Sequence, residues 1–117
     1  MPTLKVTVAV ELDGVRIESL CSTRTMEVDE VDQFAIERPT AGSNVAMPFS
    51  ELTTLQGLVL TSSQALSLQF GATQEADLTL AANGLVVLLD VSNTASNAKT
   101  TNASGSTAIL TGIAAGT

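Results

Sequence analysis

Apolar and polar residues alternate from the start of the chain. Leu4, Val6, Val8, Val10 and Leu12 interleave with Lys5, Thr7, Ala9 and Glu11, the period-two pattern of a half-buried strand. Asp13-Gly14 follows, a dipeptide suited to the positive φ angles of a type I′ hairpin turn. A two-residue loop sets Leu12 opposite Val15, Val10 opposite Ile17 and Val6 opposite Cys21 on one side. On the other side it sets Glu11 opposite Arg16, an opposite-charge cross-strand pair.

Beyond this hairpin, Glu27, Asp29, Glu30 and Asp32 surround Val28 and Val31, and alternation resumes at Phe34 and Ile36. Residues 38–44 carry loop chemistry. Val45, Met47 and Phe49 alternate again, with Pro48 suited to a strand end or a sheet edge. Residues 50–56 could form a turn of helix capped by Ser50. From Leu55 onward charges thin out. The pattern predicts strands over 55–61, 65–70, 77–80, 85–91 and 106–113, with turn-forming or polar stretches between them. The run 92–105 reads as one such separator. Short strands at this spacing predict an all-β fold, an antiparallel β-sandwich or a compact barrel. No repeat or linker divides the chain, so residues 1–117 read as a single domain.

Leu85-Val86-Val87-Leu88-Leu89 is apolar without a break, so both faces of its strand call for cover. A sandwich covers one face, and with few helices expected a neighbouring subunit is the natural lid for the other. The tail around Ile109, Leu110 and Ile113 repeats the theme. These eight residues form the expected subunit interface of a homo-oligomer, a symmetric ring or trimer by preference. The alternative is a strand tucked wholly inside one subunit.

Composition narrows the functional classes. The 117 residues are 44% hydrophobic and 15% charged, enough apolar matter for one core and too little charge for disorder. Aromatics are only 3%, too few for a binding face built on ring stacking. The net charge of −7 argues against nucleic acid, since Lys5, Arg16, Arg24, Arg38 and Lys99 form no cluster. Such acidity favours solubility and would suit docking on a basic surface. The lone Cys21 excludes an internal disulfide and a cysteine-based zinc cluster, and is expected in the core as a small apolar residue. With no signal-like segment at Met1 and no apolar run near 18 residues, the chain reads as soluble, made in the cytosol and without a membrane partner.

Histidine, tyrosine and tryptophan are all absent. That removes Ser–His and Cys–His couples, histidine metal ligands and the commonest general base. The acids at 27, 29, 30 and 32 could supply a carboxylate pair for glycoside hydrolysis or oxygen ligands for calcium. Sugar sites lean on aromatic platforms, however, and Phe34, Phe49 and Phe70 are the only rings. A calcium loop often turns on a glycine, and none occurs between Val15 and Ala41. A solvated acidic rim fits the cluster better. Glycines 57, 71, 84, 105, 112 and 116 make no phosphate-binding pattern, and Asn102-Ala103-Ser104, a glycosylation triplet, reads as loop. The chain is therefore expected to be no enzyme and to need no cofactor or metal.

The second half of the chain resembles small virion structural proteins of tailed bacteriophages. The likeness lies in the strand-and-turn run from Leu55 to Ser63, in Ala65 to Phe70 and Leu78 to Asp90, and in the close from Thr101 to Ala108, a polar turn leading into a small-residue strand. It covers about half the chain and is one of texture rather than of signature residues. The resemblance implies a jelly-roll or related β-sandwich present in many copies on a virion assembled in the host cytoplasm. Capsid decoration or cement proteins of this kind often form trimers over the joints of the major capsid protein. A collar, tail or fibre-base location and a glycan-binding module are the alternatives.

Overall fold

The computed structural model describes residues 2–49, 52–72 and 76–117, and the chain there is all-β. Its strands are β1 (Thr3–Val8), β2 (Glu11–Leu12), β3 (Val15–Arg16), β4 (Ser22–Glu27), β5 (Glu30–Arg38), β6 (Val45–Ala46), β7 (Thr54–Ser62), β8 (Leu66–Gln69), β9 (Leu78–Leu80), β10 (Leu85–Leu88), β11 (Asn93–Thr94), β12 (Lys99–Thr101) and β13 (Ala108–Gly116). Two 3-10 turns, Glu18–Leu20 and Ala95–Asn97, are the helical pieces among the described residues.

Eight of these strands build a sandwich of two antiparallel sheets. One sheet runs β10-β7-β13-β5, with β11 continuing the β10 edge along β7, and the other runs β6-β12-β8-β9. In chain order the first of the eight pairs with the last, the second with the seventh, the third with the sixth and the fourth with the fifth. The observed pairs are β5 with β13, β6 with β12, β7 with β10 and β8 with β9. A long hairpin ribbon has thus been rolled up, which is the jelly-roll arrangement of two Greek keys. Such nested pairing is non-local and cannot be read from strand spacing.

Leu58 and Leu60 on β7, Leu66 and Leu68 on β8, Val86 on β10 and Leu110 on β13 meet between the sheets, all buried. At this point the alternation in the sequence becomes packing, since side chains two apart line one sheet face. The Phe34 and Phe49 rings pack at 5.8 Å between centroids. Arg38 bridges the layers at one end. Its Nε donates to Thr100 Oγ1 at 2.9 Å and its Nη2 to the Ala46 carbonyl at 2.7 Å, tying β5 to β12 and β6. Burial pushes the Arg38 guanidinium pKa down from its usual value.

The five C-terminal strands expected from the pattern correspond to β7, β8, β9, β10 and β13. Pro48 follows β6, an edge strand, as its missing N–H requires. Two expectations for the body fail. Thr54 to Gln56 lie in β7 rather than in a turn of helix, while Ser50 and Glu51 lie outside the described residues. The polar run 92–105 contains β11 and β12, and β12 sits inside the second sheet between β6 and β8.

The N-terminal hairpin stands apart as an arm. Asp13 and Gly14 take φ of 52° and 79°, as a type I′ turn demands, and Glu11 faces Arg16 while Leu12 faces Val15. The Ile17 amide bonds to the Val10 carbonyl at 2.9 Å, so the expected register holds that far. The 3-10 turn Glu18–Leu20 then shifts it, and Val6 pairs with Arg24 instead of Cys21. At its base the arm packs on the outer face of the five-stranded sheet through Leu4, Met26, Val28 and Ala115. Gly57 permits this approach, because a Cβ there would lie 3.2 Å from Leu4 Cδ2 and 3.4 Å from Met26 Sδ. The radius of gyration is 14.8 Å, against about 13.4 Å for a compact domain of this length, in keeping with an arm that projects.

Candidate functional site

The pleat of β10 decides which side of the apolar run looks where. Val86 faces Leu60 across the ladder and points into the sandwich; Val87 faces Val59 and points outward. Outward rows therefore cross the whole sheet. Leu85, Thr61, Thr111 and Ala35 form one row, and Val87, Val59, Ile113 and Gln33 the next. Ile109, opposite Glu37, extends the patch. Leu85 is 65% exposed, Ile109 50% and Val87 38%. Between β5 and β13 the face is broad and shallow, formed by Gln33, Phe34, Ala35, Thr111, Gly112 and Ile113.

The eight residues singled out from sequence separate into three groups. Leu85, Val87 and Ile109 are exposed on the outer face. Val86 and Leu110 are buried in the chain's own core, which takes them out of any surface, and Leu88 is half-buried against that core. Leu89 and Ile113 are half-buried against the base of the arm. Sequence reasoning missed the exposed apolar residues of the arm, Leu12 at 66% and Val15 at 68% beside the turn and Leu20 at 56% next to Cys21. The signal was present in the hairpin register, which put Leu12 and Val15 on one side with no other strand assigned to cover them.

Other expected features resolve as follows. Cys21 is half-exposed at the neck of the arm rather than in the core; its Sγ accepts from the Val10 amide at 3.3 Å and donates to the Ile17 carbonyl at 3.2 Å. Arg16 sits opposite Glu11 in the ladder but its Nε meets Glu18 Oε1 at 3.1 Å. A second exposed ion pair, Arg24 to Asp90 at 3.3 Å, links arm to body and is worth under about 1 kcal/mol. The four clustered acids are spread over the end of β4, the turn after it and β5. Glu27 lies opposite Thr3, Glu30 opposite Gly116 and Asp32 opposite Ala114. Among the described residues no three potential metal ligands come together.

Asn102 of the glycosylation triplet is buried. Its Nδ2 donates to the carbonyls of Arg38, Pro39 and Ser106, each at 3.1 Å, and its Oδ1 accepts from the Ser104 amide and hydroxyl. A polar hollow of about 270 Å³ opens nearby on the second sheet, lined by Ser43, Asn44, Ser67, Gln69 and Thr101. Gln69 is 4% exposed, and its Oε1 has no hydrogen-bond partner among the described residues.

By strand order the body is a jelly roll, an architecture shared by capsid, lectin and cupin domains. Fold alone does not choose among such uses. Comparison with protein-family models, with curated proteins and with solved structures finds no match to this chain.

Proposed function

We propose that the chain is a non-enzymatic virion structural protein of tailed bacteriophages. In this reading it is a capsid decoration or cement protein, bound to the major capsid protein and stabilising the shell as a symmetric homo-oligomer. The supporting observation is a jelly-roll body whose outer sheet face leaves Leu85, Val87 and Ile109 open to solvent. Apolar patches of this kind mark surfaces that bind other proteins. At roughly 25 cal/mol per Å² of apolar area, a modest patch repeated by symmetry and by many capsid sites becomes strong in aggregate. The absence of histidine, tyrosine and tryptophan and the resemblance of the second half of the chain point the same way.

Immuno-electron microscopy of particles produced from the genome that encodes the chain tests the proposal. Label spread regularly over the head supports a decoration protein. Label confined to collar, tail or fibre base keeps the virion reading and moves the location. Unlabelled particles in a lysate that contains the protein overturn it.

Gln69, a lining residue of the polar hollow whose buried Oε1 has no partner among the described residues, favours a second reading, a module that binds a hydroxylated ligand such as a glycan. Saturable binding on a glycan array that Gln69→Leu abolishes would establish it, and an array without saturable binding would dismiss it.

A further inference from the structure

We propose that Asn83-Gly84 is a self-modification site, where a backbone-assisted deamidation is held closed by the turn between β9 and β10 until that edge of the sandwich opens. The chemistry needs no partner and does not depend on self-association.

The turn demands the dipeptide. The Gly84 amide donates to the Ala81 carbonyl at 2.9 Å, and Asn83 takes φ of 63°, the left-handed conformation that a type II turn places third and that Gly or Asn fills. A Cβ on Gly84 would lie 2.9 Å from the Ala81 carbonyl oxygen and 3.1 Å from Leu80 Cδ2, so residue 84 is held to glycine. The same pair is chemically labile, because no side chain on Gly84 blocks the approach of its nitrogen to the Asn83 side-chain amide. The other asparagines, Asn44, Asn93, Asn97 and Asn102, precede Val, Thr, Ala and Ala. Asn83 is exposed, so water and base reach it.

In the reaction the Gly84 backbone nitrogen gives its proton to solvent base and attacks Asn83 Cγ. The bond from Cγ to the side-chain nitrogen breaks, and ammonia leaves with a proton from solvent. Water then opens the resulting cyclic imide at either carbonyl. Opening at Cγ leaves aspartate, and opening at the main-chain carbon leaves isoaspartate, with the side-chain carbons now in the main chain. Nothing is oxidised or reduced.

Three hydrogen bonds hold the turn against this step. The Gly84 N–H, whose proton must leave, is engaged by Ala81. The Asn83 amide donates to the Ser62 carbonyl at 2.8 Å, and Thr61 Oγ1 donates to the Gly84 carbonyl at 2.9 Å, so both residues are tied to the end of β7. Attack therefore waits on local opening. The turn joins β9, an edge of the second sheet, to β10, an edge of the first. Isoaspartate lengthens the main chain between Leu80 and Val86, both buried, and leaves an irreversible mark of each opening that reacts.

Peptide mapping by mass spectrometry tests the site on the full chain, kept folded or unfolded in guanidinium chloride at the same mildly alkaline pH. Acid at residue 83, part of it isoaspartate, should form in the unfolded chain at least about ten times faster than in the folded one, since opening costs free energy. Thr61→Val removes one tie at an exposed position and should keep the circular dichroism of the unaltered chain. It should raise the folded rate roughly two- to ten-fold, the effect of one hydrogen bond on an opening equilibrium, and leave the unfolded rate unchanged. Thr61→Ser keeps the donor and should keep the folded rate. An unfolded chain that converts Asn83 no faster than the other asparagines overturns the site. Equal rates in the folded and unfolded chain overturn the gate, and a folded Thr61→Val with the unaltered rate rejects the tie to β7.

Discussion

Val86 and Val87 are neighbours in β10, yet one lies in the core at 5% exposure and the other on the outer sheet face. A single pleat separates the residue that holds the sandwich together from one that a partner could touch. Aspartate at the two positions should therefore act differently. Val86→Asp buries an unpaired charge and should cost more than about 3 kcal/mol in urea unfolding. Val87→Asp should change unfolding by no more than about 0.5 kcal/mol and should lower the assembled mass at a given concentration. Equal stability and equal assembly in the two variants would refute the two-sided reading of this strand.

Arg38 is the polar tie between the sheets. Truncation in Arg38→Ala removes two hydrogen bonds from a charged donor, leaving Thr100 and Ala46 to find other partners. The expected loss is about 2–3 kcal/mol, read from the urea midpoint at unchanged slope. Arg38→Lys should recover only part of it, because an ammonium lacks the fork that reaches both acceptors.

Asn102 organises the turn before β13 through five hydrogen bonds, and its amide nitrogen is spent on three carbonyls. Asn102→Ala should destabilise the fold by about 2–3 kcal/mol, since buried acceptors and the Ser104 donors lose their partner. Expression in a glycosylating host should leave the folded chain unmodified at Asn102. A glycan found there by mass spectrometry on folded protein would contradict the burial.

Gly57 is the seat of the arm. A valine there meets Leu4 and Met26, and overpacking of this kind typically costs about 1–3 kcal/mol. Hydrogen exchange should report the damage locally. The amides of β1 and β4 should exchange faster in Gly57→Val, and those of β8 and β12 should hold their protection.

Much of this architecture was legible in the residues. Alternation and turn chemistry marked β7, β8, β9, β10 and β13: β7 and β8 bury leucines two apart, and β9, β10 and β13 bury Leu80, Val86 and Leu110. Strand β12 escaped notice because Lys99, Thr100 and Thr101 are all polar. Its place is secured by pairing on both sides and by Arg38 reaching Thr100, none of which is local. The arm register was right from the turn back to Ile17 and then slipped by three residues, since Glu18-Ser19-Leu20 carries no breaker to announce a 3-10 turn. The surplus of apolar surface in residues 85–89 was visible as a run. Which side of it meets solvent became defined only when the β7 register fixed the pleat.

Self-association is the claim on which the rest depends, and the solution mass tests it most directly. Light scattering behind a sizing column, across micromolar concentrations, should give one closed oligomer, a trimer or another ring, at a multiple of 12.0 kDa. A chain that stays at 12.0 kDa throughout would contradict the account, and the uncovered face would then need another explanation.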